Sequence, residues 1–411
     1  MPRRIPNIVL NLCLAFSGVL AALLLFEVAA RLLPSPYEGP ANAIEMCSSQ
    51  LGWRGKPHFA TSVSTDDYTH DLALNSVGMH DTDHPLPKPP NTRRILMLGD
   101  SFVRAHQVRE TETAHQALED LLNRNGSPMP YEVISSGVDG WGTGQELIFY
   151  RIEGYLYQPD LVLLMFFIGN DVKDNMPARG ITSGGRNCYA PYFVVCGDRL
   201  DNAPWSYAPG ILPSIGQCTW PDKAIGAVFS TLHQHSYLYT QIEPLLPSPD
   251  YQVSSLHFYI EGNALFDYGL RLTIQLVRQL NEEVTQRGAQ FAVVLVSPED
   301  LVKFAQMTSA EREQVYQQLP ALRRAEHIDL PDEQLRKLLA EQGIRVLDLL
   351  PAFREHAAET QQPLYFKRDK HWNAAGNRLA AETMWGWLNA NPGLTKCTGC
   401  AIVTDTGEKQ P

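Results

Sequence analysis

Three uninterrupted apolar runs constrain this chain more than any other feature: Ile95 to Leu98, Leu161 to Ile168, and Phe291 to Val296. A strand with one face in water alternates apolar and polar residues, so runs without alternation belong to strands covered on both sides. Segments of helical period lie between them. One carries Ala114, Ala117, Leu118, Leu121 and Leu122 on a common face, with Thr113 and Gln116 as its capping box and Asn125-Gly126 as its stop. Others span Gln145 to Tyr157, Asp267 to Arg287 and Asp332 to Gln342, and the last begins at the N-cap Asn373 and ends near Asn391. Shorter strands are expected at Tyr131 to Ser135 and Ile344 to Leu349. This alternation predicts an α/β fold built on a parallel sheet with helices on both faces.

A different apolar run decides where the fold sits. Ile8 to Phe26 is weakened only by Asn11, Ser17 and Gly18, about the roughly 20 residues that cross a bilayer as a helix. Arg3 and Arg4 precede it, whereas Arg31 after it is offset by Glu27, Glu38 and Glu45. The positive end is expected to stay in the cytoplasm, leaving the rest outside, as in a single-pass protein of the cytoplasmic (inner) membrane with a periplasmic catalytic domain. An uncleaved anchor is the preferred reading. Its rivals are a signal peptide processed after Val28-Ala29-Ala30 and a buried helix of a soluble domain.

Four regions follow: 1–33 with the anchor, 34–92 as a linker or N-terminal extension, 93–391 as the catalytic domain, and 392–411 as a cysteine-containing tail. Residues 34–90 are rich in Pro, Asp, His and Ser and end in Pro85-Leu86-Pro87-Lys88-Pro89-Pro90, an extended approach. Residues 175–262 lack sustained periodicity and read as an insertion. The insertion's Trp205, Tyr207, Trp220, Tyr237 and Tyr239 can stack on sugars or fill a small core, and none is singled out as a binding residue.

A net charge of −11 without a Lys/Arg cluster excludes nucleic acid as a partner. Cys47, Cys188, Cys196, Cys218, Cys397 and Cys400 form an even set beyond the membrane span, which itself holds Cys13; disulfides are expected for the six. Cys397-Thr398-Gly399-Cys400 has neither a second Cys/His pair for zinc nor the strand-helix setting of a redox motif.

Loops at the carboxyl ends of parallel strands converge on one edge, so Ser101, Gly137 and Asn170, each after a strand-like run, are expected to meet. Ser101 ends Gly99-Asp100-Ser101 at a strand-to-loop turn, where a hydroxyl is exposed and aimed. It lacks a local base. Asp369-Lys370-His371-Trp372 supplies one: His371 to take the proton, Asp369 to fix its tautomer, with the N–H groups of Ser101 and Gly137 and the Asn170 amide to hold an oxyanion. Taken singly each feature has a plainer reading: a Gly-Asp-Ser turn, a turn glycine, a helix cap at Asn170-Asp171, a loop histidine. Joint occurrence in this order favours the site.

These residues resemble the SGNH/GDSL hydrolase superfamily, whose four blocks give Ser, Gly, Asn and His in that order. Gly99-Asp100-Ser101-Phe102, Gly137, Asn170-Asp171 and Asp369 with His371 match over about 93–390. The resemblance implies a flavodoxin-like three-layer α/β/α fold and ester chemistry at Ser101, with no cofactor and no metal. Two departures stand out: Ile168 sits where the third block has Gly, and the last block is Asp-x-His instead of Asp-x-x-His. The Asp-x-His-Trp form is similar to that of membrane-associated exopolysaccharide O-acetylation proteins, the alginate type among them. The expected function is a serine esterase on O-acyl, chiefly acetyl, esters of a cell-envelope or exported glycan. The alternatives are an O-acetyltransferase modifying an exopolysaccharide and a silent membrane-tethered glycan-binding scaffold.

A two-metal phosphoesterase is disfavoured, because no Asp-x-His precedes the Gly-Asp strand and Asn170 is followed by Asp171 instead of His. His80-Asp81-Thr82-Asp83-His84 gathers possible ligands but reads as a solvated loop.

Overall fold

The computed structural model describes residues 7–33, 44–124, 129–176, 179–180, 188–189, 191–196, 199–201, 263–318, 330–360 and 362–395, with short pieces between 228 and 258 and at 320 and 323. Asn125-Gly126, Cys218, Cys397, Cys400, Trp205, Tyr207 and Trp220 lie outside the described residues. The chain divides into two compact units. One comprises Met1–Arg54, Pro177–Tyr192 and Ala203–Asp250; the other comprises Gly55–Met176, Phe193–Asn202 and Tyr251–Pro411.

In the first unit, a helix spans Asn7–Ala30, and its Leu10–Ala30 stretch is long and apolar enough to cross a membrane. Its apolar side chains, Leu14, Leu24 and Phe26 among them, are exposed. Near its end Glu27 accepts the Ser236 hydroxyl at 2.8 Å and the N–H groups of Tyr237 and Leu238 at 2.9 and 3.1 Å. Cys47 and Cys188 form a disulfide.

The second unit holds a five-stranded sheet of β1 (Arg93–Gly99), β2 (Tyr131–Ser135), β3 (Leu161–Phe167), β4 (Gln290–Val296) and β5 (Arg345–Asp348), in the order β2-β1-β3-β4-β5. All its pairings are parallel; Ile95, for example, lies opposite Val133 of β2 and Leu161 of β3. Ile95, Met97, Leu163, Met165, Val294 and Val296 join Leu118 and Met384 in one core cluster. Helix Ala114–Asn123 packs there on helix Ala374–Ala390. The alternate residues Leu96, Leu98, Val162, Leu164 and Val293 are equally buried and turn to the layer where helices Thr143–Ile152 and Ala264–Gln286 meet. Each such side chain contributes roughly 1.5–3 kcal/mol on burial, which is why both faces of these strands are apolar. The fold is the flavodoxin-like α/β/α arrangement expected.

Three local expectations are corrected. The 34–92 stretch is more than an extended approach: it carries strands Glu45–Ser48 and Gly52–Gly55 and an antiparallel hairpin, Ala60–Ser64 with Thr69–Ala73. Thr113 precedes helix Ala114–Asn123 but forms no capping box. Its hydroxyl donates to the Glu110 carbonyl at 2.7 Å, and Asn377 Oδ1 accepts the Ala114 N–H instead. The His80 to His84 segment is solvated only in part: Thr82 and Asp83 are exposed, whereas His80 and Asp81 are 1% and 7% exposed. His80 Nδ1 lies 2.7 Å from the Arg104 carbonyl, and Asp81 Oδ2 accepts the Ser135 N–H at 2.8 Å, which ties the segment to the sheet.

Candidate active site

β1 runs into its turn at Gly99, where a Cβ would come within 2.4 Å of Val103 Cγ2 and 3.1 Å of the Met165 carbonyl oxygen. Ser101 then opens a single helical turn, Ser101–Arg104. Asp100 caps this turn by accepting the Phe102 N–H at 2.9 Å, and Ala105 closes it in the left-handed region at φ 48°. Fixed at both ends, the turn gives Ser101 little freedom to move.

His371 Nε2 stands 2.7 Å from Ser101 Oγ, and His371 Nδ1 stands 2.6 Å from Asp369 Oδ1. The short Asp-x-His spacing closes on itself because Lys370 adopts φ 72°, left-handed backbone that costs a non-glycine residue roughly 1–2 kcal/mol. Neighbours hold that loop. Phe366 N–H donates to the His371 carbonyl at 2.8 Å, and Lys370 Nζ donates to Glu299 Oε2 at 2.8 Å. Trp372, 2% exposed, sits in the core with its ring 5.0 Å from Phe102 and 5.4 Å from Phe353. The Trp of the motif therefore acts as a root for the histidine beside it.

A second support comes from the hairpin, which the sequence reading missed. Asp67 Oδ2, in its turn, accepts the N–H groups of Arg368 and Asp369 at 2.7 and 2.8 Å, and Tyr68 OH donates to Asp369 Oδ2 at 3.4 Å. The available signal was the β-prone alternation on either side of Thr65-Asp66-Asp67-Tyr68, a polar hairpin turn.

The electrostatics suit proton transfer at His371. Its burial disfavours the imidazolium, but the hydrogen bond to Asp369 and the charges of Asp369, Asp100 and Asp139 prevail and raise its pKa above 6.5. Burial likewise opposes ionisation of Asp369, yet His371 holds its carboxyl below the usual range. Burial pushes Asp100 up to about 6, against the Phe102 N–H bond and the nearby His371. Buried Glu146 and Asp171 are also raised well above ordinary carboxyls, first by burial and then by the charge of Asp100.

Gly137 follows β2 and lies against the Ser101 turn: a Cβ on it would fall 2.1 Å from Arg104 N and 2.7 Å from the Asp100 carbonyl oxygen. Asn170 follows β3 and stands at the N-cap of the short helix Asp171–Asp174. Its Oδ1 is buried without a hydrogen-bond partner among the described residues. The fold thus brings Ser101, Gly137, Asn170, Asp369 and His371 together at the carboxyl ends of β1, β2 and β3. In the third block, Ile168 donates its N–H to the Val296 carbonyl at 3.0 Å, which links that loop to β4.

Residues 263–411, which contain Asp369 and His371 but not Ser101, match the family model described as SGNH hydrolase-like domain, acetyltransferase AlgX. No curated protein matches the chain. Among solved structures, the acetyl xylan esterase AlAXEase is 13% identical with a TM-score of 0.37, over 72% of this chain and 99% of that one. A two-domain esterase (CEX) active on acetylated mannans is 9% identical with a TM-score of 0.37, over 76% and 53%. The lipase/acylhydrolase from Enterococcus faecalis is 13% identical with a TM-score of 0.31, over 73% and 97%.

Proposed function

We propose that this chain, a member of the SGNH-like superfamily, is a serine esterase that removes O-acyl groups through an acyl-enzyme at Ser101. The observation that carries the reading is the unbroken hydrogen-bonded line from Ser101 Oγ through His371 to Asp369. Ser101 Oγ attacks the acyl carbonyl carbon while its proton passes to His371 Nε2. Backbone N–H groups of Ser101 and Gly137 and the Asn170 amide receive the oxyanion. Collapse of the tetrahedral intermediate breaks the ester C–O bond, and the departing alkoxide takes the proton from His371. Water then repeats the sequence against the acyl-Ser101, releasing the acid and restoring the hydroxyl.

Only the second acceptor distinguishes hydrolysis from transfer. A glycan hydroxyl in place of water makes the same site an O-acetyltransferase, a second reading favoured by the acetyltransferase description of the family model over 263–411. In hydrolysis the acylated glycan is the substrate; in transfer the glycan is the acceptor, and a separate acyl ester loads Ser101 and loses its alcohol. The exposed apolar helix, with Arg3 and Arg4 before it, supports a single-pass anchor that leaves the site on the outer side of the cytoplasmic membrane.

The deciding experiment compares wild type with Ser101→Ala on a chromogenic acetyl ester, with and without acceptor glycan. Wild-type turnover at least about 10³-fold above the variant supports the reading. Equal rates sink it. Acetylated glycan formed with faster release selects transfer over hydrolysis.

A further inference from the structure

We propose that Asp81, Glu110 and His115 form a binding site for one divalent metal ion of the zinc type. The site lies apart from Ser101 and does not rest on the ester chemistry. Each residue offers one ligand atom, and the three atoms lie within 4.8 Å of one another.

The least ordinary member is His115. It is 2% exposed, and neither ring nitrogen has a hydrogen-bond partner among the described residues. Buried imidazoles nearly always bond through at least one nitrogen, so one left with none points to an absent partner. Its Nε2 stops 3.4 Å from Asp81 Oδ1. That is wider than the 2.6 Å between His371 and Asp369, and comparable to the 3.3 and 3.2 Å of His84–Asp81 and His106–Asp139. It is also the separation of two ligands sharing one tetrahedral ion at bond lengths of about 2.0–2.1 Å.

Asp81 is held in place before any ion arrives, and backbone contacts fix the segment that carries the other two donors. Asp81 accepts the Ser135 N–H on Oδ2 at 2.8 Å and the Thr82 N–H on Oδ1 at 2.7 Å, while His84 Nε2 lies 3.3 Å from Oδ2. Glu110 opens a 3-10 turn that leads directly to helix Ala114–Asn123, whose second residue is His115, and the Thr113 hydroxyl on the Glu110 carbonyl pins the join. Such outer contacts orient ligands in built metal sites. Asp81 and half-buried Glu110 also line a cavity of about 820 Å³, which provides an entry path. One imidazole and two carboxylates, with a side left open, suit zinc better than calcium, which takes six to eight oxygens.

The test uses the full-length chain in detergent, stripped with a chelator and titrated calorimetrically with zinc chloride. Wild type is expected to take up one saturable equivalent. Glu110→Gln should weaken it at least tenfold and His115→Gln at least a hundredfold. Should His115→Gln fail to fold, Glu110→Gln, at a part-exposed position, decides alone. Cobalt loading is expected to give a visible spectrum without a thiolate charge-transfer band. No saturable equivalent, an affinity in Glu110→Gln within twofold of wild type, or a thiolate band would each overturn the proposal.

Discussion

Asp67 Oδ2 accepts the backbone N–H of Asp369 at 2.8 Å, joining the turn of a hairpin to the acid of the candidate site. The same oxygen takes the Arg368 N–H, so a single carboxylate oxygen fixes the strand of backbone from which Asp369 reaches His371. Asp67→Ala leaves both N–H groups without this acceptor and loosens the acid. We expect kcat for an acetyl ester to fall about tenfold with KM unchanged, and Asp67→Asn, which keeps an acceptor oxygen, to recover most of it. An unchanged kcat in Asp67→Ala would show that the hairpin contact does not serve the reaction.

The raised pKa of His371 sets the pH dependence. The base must be neutral to accept the Ser101 proton, so kcat/KM should fall as pH drops through a midpoint above 6.5. Asp369 is a principal cause of the elevation. Asp369→Asn should therefore lower the rate by roughly 10²- to 10⁴-fold and move the midpoint downward. A midpoint that stays put would mean that the acid does not govern the base.

Gly137 is constrained by space. Any side chain there meets the backbone of the Ser101 turn, and backbone cannot swing aside as a flexible side chain can. Gly137→Ala should cost at least about 2 kcal/mol in denaturant unfolding and reduce activity with it. A stable, fully active Gly137→Ala would contradict the described packing of that turn.

Asp332 offers a test read in stability instead of in activity. Burial, with Asp348 adding to it and the Ser297 hydrogen bond and Arg354 opposing, raises its carboxyl from 3.8 to about 7. A raised carboxyl favours the fold below the unfolded value and loses that contribution as pH climbs to the folded one. Thermal melts of wild type and Asp332→Asn from pH 4.5 to 8 should show the variant gaining on wild type up to about pH 7 and holding steady beyond. A pH-independent difference would rule out an ionising Asp332.

Much of this was legible in the chain because the information is local. The unbroken apolar runs gave the buried strands, Asn373 gave the start of the last helix, and Gly-Asp-Ser at a strand end with a distant Asp-x-His gave residues that the fold brings within hydrogen-bonding distance. The unread parts depend on contacts made across the fold. Asp67 and Tyr68 look like any polar turn until Arg368 and Asp369 arrive beside them, 301 residues on. Asp81 looks solvated until Ser135 and His115 close over it. Thr113 satisfies the cap pattern, but Asn377 reaches the helix start from the far end of the sequence and takes its place.

The 270-residue separation of Ser101 and His371 also orders events in time. A chain made at about 5–20 residues per second presents its serine roughly 15 to 55 seconds before the histidine exists. On the proposed function, a nascent or prematurely ended chain lacks the His371 that would take the Ser101 proton. Completion of the fold would then switch reactivity on, and an interrupted synthesis would leave a fragment without its proposed base.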